Sequence, residues 1–546
     1  MGEVKIPLFE RKATGLVREI GPWGLIVINM SWAIGAGINK LSVYNGYLYP
    51  GSDVGLGFLL VAIPVVIDAA CWAFLAITMP RSGGAYVFIS RILSPTWAFL
   101  TTWLSWAAGW LLIGIIAYYD VYFWGLMLWS VGTAFHNPAL ISAGLWCQSM
   151  INSYWVSIVF LVITFAICSL RLSTMVRILQ ALWIIPMIGS IMMIGTYAAN
   201  WGLASTSPEI FKARWDRIMG EGSYDEVMSV AISHGFDPVK WTRFSWDSTW
   251  AVAAYAGLWA GSCLGTAPTA VAGEVKTPTK TQLWGTVFGA ALVCIHNVLL
   301  STTMFHACDP FIRAYTFNFY EGYAKEYTIT PNIMPLAPLF AGVLTGNMWL
   351  ATFYAASTAI WLWNDIPAFF LYVTRFMFAW AFDRTFPRIF AEVHPTLRTP
   401  LYANILTFVL SIVGSTLCMG WWIYGIFTLF DQICMFGWIL PTVFVDVAAA
   451  VLPILRPDIY KESPIATWTI AGIPLITILG VIGFTTMLWF TFLVMGSLMP
   501  TGKPTPDVAL IVALSALGLL ISLSYQAYMK KKGIPVSEVF KVIPPA

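Results

Sequence analysis

The sequence predicts an all-α, polytopic membrane protein, and three observations carry that assignment. Of 546 residues, 59% are hydrophobic and only 10% are charged, against roughly 25% charged in ordinary globular domains. Apolar runs long enough to cross a bilayer, about 18 residues or more, recur along the whole length. No stretch reads as a soluble domain: the longest polar segments, 201–246 and 308–347, mix charge with Trp, Tyr and Pro and read as ordered caps.

Taken in order, the expected spans are 22–43, 55–79, 94–130, 153–173, 176–200, 247–272, 282–307, 348–380, 401–419, 424–455, 468–495 and 508–529. Residues 1–20 are charged and amphipathic and read as a cytoplasmic segment rather than a cleavable signal. With the N-terminus inside, the cytoplasmic segments collect Arg11, Lys12, Arg18, Arg81, Arg91, Arg171, Arg177, Lys276, Lys280, Arg384, Arg388, Arg398 and the Lys530–Lys532 run. Five further cations, Lys212, Arg214, Arg217, Lys240 and Arg243, fall in the long outer loop, which counts little for orientation. Both termini are therefore expected in the cytoplasm, with the cell membrane as the location.

The first span is Gly21-Pro-Trp-Gly-Leu-Ile-Val-Ile-Asn-Met-Ser-Trp-Ala-Ile-Gly-Ala-Gly-Ile-Asn-Lys40. Its middle, Ile34-Gly35-Ala36-Gly37, is its poorest helix-forming run, losing about 1–2 kcal/mol of propensity relative to alanine. Irregular backbone at that depth is tolerated only where it lines a cavity or a polar ligand. A half-helix N-terminus there would suit a carboxylate; close helix packing through small residues is the competing explanation. The sixth span repeats the pattern in Ala253-Ala-Tyr-Ala-Gly-Leu-Trp-Ala-Gly-Ser-Cys-Leu-Gly265, five spans later. Paired glycine-interrupted spans in two halves point to a midplane transport site.

Four stretches then resemble the amino acid–polyamine–organocation (APC) transporters. They are Ile34-Gly35-Ala36-Gly37-Ile38, Pro80-Arg-Ser-Gly-Gly-Ala-Tyr86 with Arg91 and Pro95, Gly273-Glu274-Val275-Lys276-Thr277-Pro278, and Arg375, Asp383, Pro387, His394-Pro395 and Thr399-Pro400. The resemblance to APC amino acid permeases covers roughly 20–460. It implies a 5+5 inverted repeat with broken first and sixth helices plus two appended helices: a core over 21–455 (repeats 21–200 and 247–455, outer loop 201–246), appended helices over 456–529 and a cytoplasmic tail over 530–546. It also implies that amides at Gly35, Ala36 and Gly37 receive a substrate carboxylate, and carbonyls around Leu258, Trp259, Ala260 and Gly261 its ammonium. Family spacing puts Gly109, Ile113 and Phe369 beside the same pocket. The aromatic gate aligns on Trp259, or on Ala260 when counted from Pro278; Trp259 is preferred because an aromatic ring can close over a ligand.

Charges inside spans normally face a cavity or a partner. Asp120 and Asp365 read either as an acidic outer vestibule or as partners for Lys40, the ion pair being favoured; Asp68 and Asp446 read as helix-packing groups. Coupling to H⁺ or Na⁺ is left open by the sequence, with Thr374 one weak Na⁺ candidate. Residues 178–200 hold no Lys or Arg, the device some proton-coupled or uncoupled relatives use. No catalytic or nucleotide-binding motif and no metal-ligand cluster occurs, so neither enzyme activity, a cofactor nor a nucleic-acid partner is expected. The expected function is secondary active transport, by symport or exchange, of an amino acid or related small amine. A polyamine or other organocation carrier, and a non-transporting subunit or sensor of the same fold, are the alternatives; the oligomeric state is not encoded legibly.

Enlarging the first-span glycines should block ligand access to the backbone N–H groups. Gly35→Val and Gly37→Val are therefore expected to abolish substrate binding in folded protein, and unchanged binding by calorimetry would refute a first-helix site.

Overall fold

The computed structural model describes residue 9 and residues 14–34, 37–257, 264–424, 427–498, 506–534 and 536–544. It is almost entirely helical, and each expected span is met by helix. Among the described residues, nine helices are long and apolar enough to cross a membrane, including Val54–Thr78, Pro95–Ala134 and Leu401–Met419. Helices are named below by the expected span they fill. The first contributes Pro22–Ile34 and Gly37–Leu48, the sixth Trp246–Ala256 and Thr266–Ala270, and the eighth is a continuous Met348–Phe382. Several ends shift by a few residues, the first span running on to Leu48 and the fourth ending at Cys168, and one boundary differs in kind. The segment expected to open the eleventh span is a short hairpin, Thr469–Ile470 paired with Ile473–Pro474, and its helix starts at Leu475. Ala471 and Gly472 both take positive φ, the two-residue turn that matches strand twist.

The third helix, Pro95–Ala134, is the mast of the bundle, packing against the eighth, ninth (Leu401–Tyr424) and tenth (Phe427–Leu455). Its close approaches use small residues. A Cβ on Gly414 would stand 2.7 Å from the Leu111 carbonyl, and one on Gly437 2.8 Å from that of Leu104. In lipid, association rests on such packing because hydrocarbon itself supplies no hydrophobic drive. The seventh helix contains a π-helical turn, Leu283–Phe288. Asn29 of the first helix fills it, donating to the carbonyls of Gly285 (3.1 Å) and Thr286 (3.0 Å). A side-chain amide thus satisfies backbone that would otherwise lack partners in hydrocarbon.

The two chain ends lie on one face of the bundle, here the terminal face: Arg81 donates to the carbonyl of Pro544, and Arg384 to that of Phe9. Two buried bidentate ion pairs hold it. Arg91 grips Asp383, with Nη2 to Oδ1 at 2.8 Å. Arg375 grips Glu274 through Nε to Oε1 at 3.0 Å and Nη2 to Oε2 at 2.9 Å.

The opposite, cap face carries short helices, including Pro208–Met219, Ser223–Ser233, Phe311–Tyr320 and Ala337–Thr345. Phe211, Trp215 and Met219, four apart, are the buried stripe of the first of these. The Glu226 carboxylate accepts from the backbone N–H groups of Thr328, Ile329 and Thr330, at 2.5, 3.0 and 2.7 Å.

Two outcomes are expected. Asp383→Ala strands a buried guanidinium and should cost about 3–5 kcal/mol, read as a lowered melting temperature in detergent. At Glu226, partial burial pushes the carboxyl pKa up, but the Thr328 and Thr330 N–H and O–H donors outweigh it and hold the group at about 2, below the ordinary 4.5. Its stabilisation is thus present above about pH 4.5 and lost as the pH falls towards 2. Hydrogen exchange at amides 328–330 should quicken over that window, and Glu226→Gln should give fast exchange already at neutral pH.

Candidate functional site

The first helix runs through the centre of the molecule and is tied at both ends. On the terminal face, the N–H groups of Glu19 and Ile20 donate to the Glu274 carbonyl at 2.8 and 3.0 Å, and Lys276 N–H returns to the Ile20 carbonyl at 2.9 Å. The Glu274 side chain adds Arg375 of the eighth helix and the Ser82 hydroxyl at 3.1 Å. On the cap face, Arg313 pairs with Asp309 and donates to the carbonyls of Gly46 (2.7 Å) and Ser52 (2.8 Å), which flank the far end of that helix. Tyr47 stacks on Tyr320 with ring centroids 5.5 Å apart and donates to Glu321 at 2.6 Å. The chain has therefore closed over the first helix from both sides.

Between the two closures lies an aromatic cluster. Trp32, two residues before the end of Pro22–Ile34, stacks on Phe369 at 4.2 Å. It meets Tyr372 edge-on at 4.8 Å and Trp438 at 6.2 Å. Tyr372 Oη donates to the Ser105 carbonyl of the third helix at 3.2 Å. These rings come from the first, third-facing eighth and tenth helices, and their geometry falls in the range of favourable aromatic pairs. The Trp32 indole N–H is buried and has no acceptor among the described residues. Asn364, one turn above Phe369's neighbours, ties the eighth helix to the first by donating to Ser31 Oγ at 2.7 Å.

Of the residues singled out from sequence, Gly35, Ala36, Leu258, Trp259, Ala260 and Gly261 lie outside the described residues. Ile34 and Ile113 are fully buried, and Gly37 opens the helix Gly37–Leu48. Phe369 joins the aromatic cluster. Gly109 meets it indirectly, because its bare backbone is where the Tyr372 phenol and Val373 pack. The Thr374 hydroxyl donates to the Phe370 carbonyl at 2.7 Å and receives Arg375 Nη1 at 3.2 Å; a fixed guanidinium at that oxygen opposes a cation there. Lys40 lies 3.7 Å over the Tyr119 ring, a cation–π contact. Asp120 is fully buried and takes its hydrogen bond from the Trp124 indole at 3.2 Å. Asp365, 2% exposed, sits one turn from Phe369 on the same helix.

Sequence reasoning passed over Trp32, Tyr372 and Trp438, whose signal was a Trp directly before the glycine run and aromatics one turn from Phe369. It also quoted Glu274 and Arg375 as motif residues without pairing them, although opposite charges at the inner ends of two spans invite a partner.

Against this geometry stand the comparisons with known proteins. The mouse cationic amino acid transporter 4 is 30% identical over 90 residues, which is 16% of this chain and 14% of that protein. The chain therefore matches well under two thirds of that relative's length. The family model described as amino acid permease matches residues 20–521. That match takes in the first-helix run, Glu274, Arg375 and the aromatic cluster together, and the chain belongs to the amino acid permease family.

Proposed function

We propose that the protein is a secondary active transporter that carries an amino acid by alternating access, with the ligand held between the first and sixth helices. The single observation that carries the reading is the first helix itself: clamped at Glu274 on one face and Arg313 on the other, with the Trp32–Phe369–Tyr372–Trp438 cluster between. A site closed from both faces by separate polar clasps is what alternating access requires, since each clasp can open without the other. In this reading the amides at Gly35–Gly37 take the carboxylate, the carbonyls at Leu258–Gly261 take the ammonium, and Trp259 closes over both. The aromatic cluster takes the side chain. The helices form two five-helix repeats over 21–200 and 247–455 with two appended, and the terminal face is cytoplasmic, in keeping with its basic loops.

A cationic substrate is the second reading. It is favoured by Asp365, buried one turn beyond Phe369, and by the relative named as a cationic amino acid transporter; carboxylates in a low-dielectric vestibule concentrate cations.

Counterflow into proteoliposomes of purified protein, with a labelled panel of neutral, aromatic and cationic amino acids and polyamines, tests both. At least one α-amino acid should exchange. Exchange of polyamines alone, or of nothing, overturns the amino acid reading. Asp365→Asn should weaken cationic members selectively if the second reading holds, and weaken all members alike if the carboxyl only supports the fold.

A further inference from the structure

Away from the aromatic cluster, two carboxyl groups are buried together between the second, tenth and eleventh helices. Asp68 and Asp446 are both 0% exposed and face one another. Neither carboxyl has a well-formed hydrogen bond among the described residues; the Trp72 indole approaches Asp68 and the Cys71 thiol approaches Asp446. The other titratable group facing them is Cys71, one turn along the second helix; among the described residues no Lys, Arg or His reaches either carboxyl. The eleventh helix presents Gly483, where a Cβ would stand 2.5 Å from Asp446 Oδ1. Beside Asp68 lies Trp72, fully buried, whose indole N–H approaches that carboxyl without a well-formed hydrogen bond.

A carboxylate at membrane depth without a counter-ion is costly, and two that face each other cannot both ionise. Helix packing alone does not call for a pair of acids where apolar side chains would fit. We propose that Asp68 and Asp446 form a proton-binding site that couples transport to a proton gradient. Loaded, both are neutral carboxylic acids. Release of one proton leaves a single negative charge shared by one acid and one carboxylate, and uptake of a proton from the other side restores the neutral pair.

The charge has a route to the transport site. Trp72 packs its ring on Gly265, where any Cβ would fall among the ring atoms, at the start of the sixth-helix segment Thr266–Ala270. The eleventh helix, which closes on Asp446 through Gly483, packs Phe490 on Gly257, next to the sixth-helix segment Trp246–Ala256. When a carboxylate appears at Asp68 it draws the neighbouring Trp72 N–H into a full hydrogen bond, and the ring that supports the sixth helix moves with it. Neutralisation releases that pull. The role of the pair in coupling rests on the transport reading above; its protonation does not.

The test uses purified full-length protein, wild type and the isosteric variants Asp68→Asn and Asp446→Asn. At neutral pH the infrared spectrum of the wild type should contain a protonated-carboxyl stretch that each variant diminishes. In proteoliposomes both variants should keep amino acid counterflow and lose accumulation driven by a pH gradient. If the variants fail to fold, Trp72→Phe, which keeps the ring and removes the donor, should weaken gradient-driven accumulation and leave counterflow intact. Undiminished gradient-driven accumulation in the variants, or an infrared band they do not change, overturns the proposal. Absence of counterflow in the wild type refutes transport instead, and the infrared band still decides whether the pair holds a proton.

Discussion

Glu274 is the residue on which the terminal face depends. Its carbonyl receives the N–H groups of Glu19 and Ile20, and its carboxylate receives Arg375 of the eighth helix and Ser82 of the loop after the second. Four segments far apart in sequence are thereby joined at the terminal-face end of the sixth helix. The pair is buried on both sides, 2% and 1% exposed, so its formation sets a large desolvation cost against a bidentate attraction. Such a pair adds little net stability when made, yet loss of one partner is expensive. That asymmetry favours an all-or-none closure: the segments part together or stay together.

The cap face is closed by different chemistry. Arg313 reaches the backbone carbonyls of Gly46, in the last turn of the first helix, and of Ser52, just beyond it, and tyrosines 44, 47 and 320 pack around that end. Here the energy comes from one charge, one neighbouring carboxylate and stacked rings, in a region where short helices bury apolar stripes against the bundle. Because the two closures share only the first helix, a change in that helix is communicated to both. The Asn29 contact with the π-helical turn and the Asn364–Ser31 bond extend the same helix's grip to the seventh and eighth.

Polar groups within the bundle divide by how they are satisfied. Arg91, Asp383, Arg375 and Glu274 are neutralised in pairs; Asn29 and Asn364 are absorbed by backbone and hydroxyl partners; Asp120 is held by an indole. In hydrocarbon each of these arrangements removes a penalty that water would otherwise remove. Asp68 and Asp446 differ in facing one another, with no well-formed hydrogen bond and no cation beside them among the described residues.

The sequence by itself determined the class of the molecule, the approximate places of its long apolar helices and the family. These follow from local quantities: apolar run length, helix propensity and short motifs around Gly35, Gly83, Glu274 and Asp383. It failed at 469–474, where a two-residue turn of positive φ interrupts an apolar stretch that length alone assigns to a span. Only the tertiary structure decided which residues meet. Trp32 and Trp438 are more than four hundred positions apart in the numbering of the chain and become ring neighbours; Gly109 proved to be the seat of Tyr372; Lys40 rests on Tyr119. Asp68 and Asp446 looked like separate packing groups until the second and tenth helices brought them face to face. Such pairings depend on the rotation and crossing of whole helices, which small residues such as Gly114, Gly414 and Gly437 set through close approach, and no local pattern in one helix encodes the rotation of its neighbour.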